Sequence, residues 1–177
     1  MMMHRTRLPL PLLMVFTLGC NGNDDERADV PRTALAVEQA GTASSSDALP
    51  VSEVVTVYKS ASCGCCASWV EHMREAGFEV VARDVPDAEL PEIKAEHGVG
   101  LSHRSCHTAV VGDYVLEGHV PAGLVRRMLE EKPDIAGLAV PGMPLGSPGM
   151  EMPDGSKDPY EVIAFTDDGE QSVYASR

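Results

Sequence analysis

Cys63, Cys65 and Cys66 place three thiols within four positions, separated only by Gly64. Such a cluster can exchange electrons, staple the chain or hold a soft metal. Cys63 and Cys66 have the C-x-x-C spacing of dithiol exchange. At a helix start, the free amides and the helix dipole would favour their thiolates. Exchange needs one attacking and one resolving thiol, so Cys65 is a third that invites competing disulfides. Three clustered thiolates suit a soft cation better, Cu(I) first and Zn(II) second. A purely structural staple is the weakest of the three readings, because a Cys63–Cys66 loop is too short to constrain much chain.

The elements that must position these thiols can be read from the pattern. Glu53 to Tyr58, EVVTVY, is a β-branched run expected to form a buried strand leading into the cysteines. Trp69, Val70, Met73 and Ala76 recur at helical spacing, and Gly77 is a natural stop. FEVVARDV reads as a second strand. Glu89 to Gly98 reads as a short helix with Pro91 in its first turn. A polar loop, LSHRSCH, precedes the strands TAVV and Tyr114 to Gly118, which turn at Gly112-Asp113. Pro121 to Lys132 is an amphipathic helix. The order β-α-β-α-β-β-α, with cysteines between the first strand and first helix, predicts an α/β thioredoxin-like mixed sheet flanked by helices. A Gly/Pro/Met-rich loop follows, and then a hairpin of YEVIAF and SVYA about Asp168-Gly169.

In that arrangement the segment entering the third strand lies beside the first helix's N-terminus. Fold analogy therefore places Cys106, with His107 alongside, against the cluster to make a four-thiol pocket. His119 is a further candidate, evenly balanced like His107 between ligand and ordinary surface or loop histidine. His103 reads as a surface or loop histidine, and His72 and His97 as solvent-facing helix residues. The loop Pro141 to Pro153, PGMPLGSPGMEMP, carries Met143, Met150 and Met152, kept out of regular structure by Gly and Pro. Their thioethers are Cu(I) ligands suited to an oxidising compartment. The alternative is that they pack over apolar surface.

VTVYKSASCGCCASWVEHMREAGFEV, SCHTAVVGDYVLEGHVP and IAGLAVPGMPLGSPGMEM together resemble the CopG-like family. These are exported metal-binding proteins, long filed as a domain of unknown function and often encoded beside copper-resistance genes. The resemblance runs from about Glu53 to the C-terminus. It implies a thioredoxin-like fold and copper binding by Cys63, Cys65, Cys66 and Cys106; the Cys-His pair and the GMPxGSPGM loop match as well.

The chain's 14 Lys and Arg against 27 Asp and Glu give a net charge of −13, which excludes a basic nucleic-acid footprint. Its apolar fraction of 44% supports a core, which rests on aliphatic residues because aromatics are only 5%. Residues 1–19 read as a signal peptide of lipoprotein type. His4, Arg5 and Arg7 precede the apolar run from Leu8 to Gly19, too short to span a bilayer, and Thr17-Leu18-Gly19-Cys20 resembles a lipobox that would lipidate Cys20. With Asn21 after it, outer-membrane anchoring in the periplasm is the expected location. Residues 20–51 read as a disordered tether, and residues 52–177 as the thioredoxin-like metal-binding domain. The leading reading is a periplasmic protein that binds Cu(I) in copper resistance, with copper efflux or resistance proteins as partners. The second is a thiol-disulfide or copper oxidoreductase using Cys63 and Cys66. An adaptor for an efflux system is a third, for which no exposed apolar stripe argues.

Overall fold

The structure, a computed structural model, describes residues 53–177. The expected signal segment, the tether, Cys20 and Ser52 lie outside the described residues. The chain runs β1 (Val54–Lys59), α1 (Gly64–Glu75), β2 (Glu79–Asp84), α2 (Leu90–Glu96), a 3-10 turn (Leu101–His103), β3 (Thr108–Val111), β4 (Tyr114–Glu117), α3 (Ala122–Glu131), β5 (Gly137–Ala139), β6 (Glu161–Phe165) and β7 (Gln171–Ser176). The seven strands form one mixed sheet in the order β2-β1-β3-β4-β5-β6-β7. β1 and β2 are parallel across the α1 crossover, and β1 with β3, and β3 with β4, are antiparallel. That is the expected thioredoxin-like mixed α/β arrangement. The C-terminal hairpin of β6 and β7 also forms, about the turn at residues 166–170.

One expectation about strands needs correction, and one strand went unread. β1 alternates rather than burying both faces. Val55 and Val57 are fully buried, whereas Val54 is exposed and Thr56 and Tyr58 are half-buried, as one face of a strand packs on a helical layer. β5, only three residues long and containing Gly137, carries no periodic signal. It nevertheless joins β4 in parallel and β6 antiparallel, so the hairpin extends the main sheet. Every β5 residue is buried, so the neighbouring strands dictate its conformation.

The core gathers Val55 and Val57 of β1, Trp69, Val70 and Met73 of α1, Leu116 of β4 and Val125 and Met128 of α3. Trp69 anchors α1, its indole N–H donating to the Val120 carbonyl at 2.9 Å. The start of α3 has no side-chain cap of its own. His72 of α1 supplies one: its Nε2 accepts from the Ala122 N–H at 3.1 Å. His72 is therefore half-buried and structural rather than solvent-facing. Burial lowers its pKa, with Glu151 and Glu75 opposing the shift. His97, also expected in solvent, is half-buried with its ring 5.7 Å from that of Tyr58.

Candidate metal centre

Cys63 is the N-cap of α1: its Sγ accepts the Cys66 N–H at 3.3 Å. Cys65 and Cys66 therefore fall in the first turn, where backbone amides are unsatisfied by the helix itself. Cys63 and Cys66 are joined as a disulfide, whereas Cys65 and Cys106 are free thiols. Cys65 Sγ lies 3.5 Å from Cys63 Sγ. Cys66 is fully buried and the other three are half-buried, so the cluster is partly open to solvent.

Cys106 reaches this cluster from the segment that enters β3. The sulfurs of Cys63, Cys65, Cys66 and Cys106 all lie within 4.8 Å of one another. A second set shares Cys106: its Sγ, with one ring nitrogen each of His107 and His119, is also mutually within 4.8 Å. Cys106 Sγ is 2.9 Å from His119 Nε2 and 3.3 Å from His107 Nδ1. The opposite nitrogen of His119, Nδ1, is 2.7 Å from the Pro148 carbonyl. A carbonyl only accepts, so Nδ1 carries the proton and Nε2 presents its lone pair to Cys106. A backbone carbonyl behind an imidazole in this way is the usual support of a metal-ligating histidine.

Burial makes these groups neutral. His107 is fully buried, and its pKa is driven well below the usual value by desolvation, with the charges of His119, Lys94 and Lys59 acting the same way. Its Nε2 has no hydrogen-bond partner, which is unusual for a buried polar atom. The His107 ring packs on Trp69 with centroids 4.5 Å apart and meets the His119 ring edge-on. His119 is likewise lowered by desolvation, against the opposing Pro148 carbonyl and Glu151. Desolvation and the neighbouring Cys65 push the Cys106 thiol up to about 12. An arriving cation would reverse that shift, since a coordinating thiol gives up its proton. With the Cys63–Cys66 disulfide reduced, four sulfurs and two neutral imidazoles, one with an orphaned nitrogen, would be a donor set that fits a soft metal ion.

The Gly/Pro/Met loop roofs this pocket. Pro148 holds His119, and Gly149 lies so close to α1 that a Cβ there would come within 2.7 Å of the Cys65 carbonyl and 2.8 Å of the Trp69 amide. The Glu151 carboxylate folds back to accept the Gly149 N–H at 2.9 Å. Met150 is half-buried beside these contacts. Met143 and Met152 are exposed, at 54% and 40%.

His103 lies outside the site, as expected, but not at the surface. It is buried, its Nε2 bonded to Gln171 at 2.9 Å and its ring stacked on Phe165. The sequence reading overlooked Glu117 and Lys94, a fully buried carboxylate and its buried ammonium partner 2.6 Å away, directly behind the Cys106-His107 segment. A signal for them exists: Lys94 shares the apolar face of α2 with Leu90 and Ile93, and Glu117 closes an otherwise apolar strand.

A family profile described as a protein of unknown function, DUF411, matches residues 103–150, the span holding Cys106, His107, His119 and the loop through Met150. Two solved structures of copper resistance protein CopG, form 1 and form 2, match at a TM-score of 0.65 and 42% identity. The first match covers 70% of this chain and 96% of the other; the second covers 71% and 98%. No curated protein matches the chain.

Proposed function

Because the chain belongs to the CopG-like family, we propose that it is an exported copper-binding protein that handles Cu(I) in copper resistance. The observation that carries the reading is the convergence of four cysteine sulfurs from two distant chain segments within 4.8 Å. Thiolates select Cu(I) among the common first-row ions, and adjacent sulfurs can bridge more than one ion. Cys63, Cys65, Cys66 and Cys106 are the core ligands once the Cys63–Cys66 disulfide is reduced. His107 and His119 add neutral nitrogen donors on the Cys106 side. Met150 closes the site from the loop, and the exposed thioethers of Met143 and Met152 receive or pass the ion. Zinc is the second choice of metal. The periplasm, reached through the segment ending at Cys20, is the proposed location, with copper efflux or resistance proteins as partners.

One observation favours a second reading. The disulfide between Cys63 and Cys66 occupies the position of an exchange dithiol at a helix N-terminus. A thiol-disulfide or copper oxidoreductase would use that pair and would need neither Cys65 nor Cys106.

The experiment that separates the two compares Cys106→Ser and Cys66→Ser in the reduced protein. Cu(I) binding is read by competition with a chromophoric chelator, and exchange by reduction of insulin disulfides. Copper binding predicts a sharp fall in stoichiometry or affinity in Cys106→Ser, with the fold retained. Unchanged copper binding in Cys106→Ser, together with strong wild-type reductase activity lost in Cys66→Ser, would establish the oxidoreductase instead.

A further inference from the structure

The Cys106-His107 pair is held from behind by a single carboxylate. Glu117, fully buried at the end of β4, accepts the Ser105 N–H at 2.5 Å through Oε1 and the Thr108 hydroxyl at 2.7 Å through Oε2. Ser105 and Thr108 are the residues that flank Cys106 and His107. Lys94 of α2 completes the cluster, donating to Glu117 Oε1 at 2.6 Å and to the Thr108 hydroxyl at 3.1 Å. The backbone repeats the same bracket, since Gly118 N–H donates to the His107 carbonyl at 3.0 Å and Thr108 faces Glu117 in the β3–β4 register. A buried ion pair is poor evidence for stability, because desolvating two charges offsets most of their attraction. Apolar residues of like volume would serve the core at least as well. What such residues could not supply is a pair of acceptors that ties down the Ser105 backbone N–H and the Thr108 hydroxyl, three residues apart.

We infer that Glu117, with Lys94 as its counter-charge, is a positioning residue that fixes Cys106 and His107 in their ligating geometry. The inference rests on the copper-binding reading for its function, though not for its geometry. The loop entering β3 has no regular structure between the 3-10 turn and Thr108. Besides the bracket, the segment is tied to Gly142, whose carbonyl accepts the Ser105 hydroxyl and whose N–H donates to the Arg104 carbonyl, while β3 itself fixes nothing before Thr108. Partners behind a ligand typically change metal affinity about 10–100-fold when removed, and that is the effect expected here.

The test uses the full chain, reduced and metal-free, with charge removed in pairs so that no ion is left buried alone. Lys94→Met/Glu117→Ala abolishes the bracket. Lys94→Met/Glu117→Gln is the rescue, because the amide can accept from Ser105 and donate to Thr108. Thr108→Val removes one arm only and serves if the alanine double variant does not fold. Two quantities are read: Cu(I) affinity by chelator competition, and the alkylation rate of Cys106 by peptide mass spectrometry. The expected result is an alanine double variant of native circular dichroism with Cu(I) binding weakened about 10–100-fold and Cys106 alkylated faster. The glutamine pair should recover most of both losses, and Thr108→Val should fall between. Wild-type values for both quantities in the alanine pair would overturn the inference. So would equal losses in the alanine and glutamine pairs, which would assign the effect to charge. If wild type binds no copper, the copper reading falls by itself, and the alkylation rates still decide whether Glu117 positions Cys106.

Discussion

Cys106 Sγ is the one donor atom that belongs to both the sulfur set and the imidazole set. Its neighbours are held neutral by burial, and that has consequences for pH. In the unfolded chain, histidines take a proton near pH 6.5. His107, His119 and His72 resist it in the folded chain, chiefly through desolvation. Below about pH 6.5 the unfolded state therefore binds more protons, and stability falls as pH falls. Cys106 acts at the other end. Its folded value of about 12 exceeds the unfolded one, which is about 8.5. Over that interval the unfolded state releases its proton first, and stability falls as pH rises. Urea midpoints of the metal-free protein with its Cys63–Cys66 disulfide intact should therefore peak between about pH 7 and 8.5. His107→Phe should flatten the acid limb and Cys106→Ser the alkaline limb. Wild-type midpoints that stay level from about pH 7 down to pH 5.5 would show that the imidazoles are solvated.

At the scale of elements, the site is a junction of three pieces: the N-terminus of α1, the segment entering β3, and the loop after β5. The first was legible, because a β-branched run, a cysteine cluster and helical spacing follow one another directly. The second was legible only through the topology, which brings the start of β3 beside α1. The roof was anticipated for its methionines, but the structure gives the closest contacts to Pro148 and Gly149 instead. Those contacts depend on backbone atoms, which a reading of side-chain types does not register. Gly149 has a φ of +86°, and a Cβ there would meet backbone atoms of α1 at under 3 Å. Gly149→Ala should thus combine left-handed strain with a clash that no rotamer relieves, at about 1–3 kcal/mol. Chemical denaturation measures that loss. The same variant should weaken Cu(I) binding, because the Pro148 carbonyl that orients His119 moves with the loop. A gain in stability, as glycine-to-alanine gives at unstrained positions, would mean that the loop does not dock on α1.

For the whole molecule, the sequence and the structure agree on one thioredoxin-like body, and they differ where tertiary context overrides local pattern. β5 was missed because three residues with a glycine show no period; they are held by the strands on either side. The Lys94–Glu117 pair was missed because charged residues read as solvent-facing unless a partner is visible, and their partners lie on different elements 23 residues apart. The proposed division of the chain can be tested on its own terms. The described residues, 53–177, hold a seven-stranded sheet, the four cysteines of the site and the methionine loop. We therefore expect residues 53–177 expressed alone to fold cooperatively and to bind as much Cu(I) as the longer chain. The preceding segment would act only on location. Full-length protein should partition with membranes, and Cys20→Ala should move it to the aqueous exported fraction without changing its copper content. Wild-type protein found without lipid and wholly in the aqueous fraction would remove the anchor. Copper bound by the full chain but not by residues 53–177 would give the first fifty residues a part in the site.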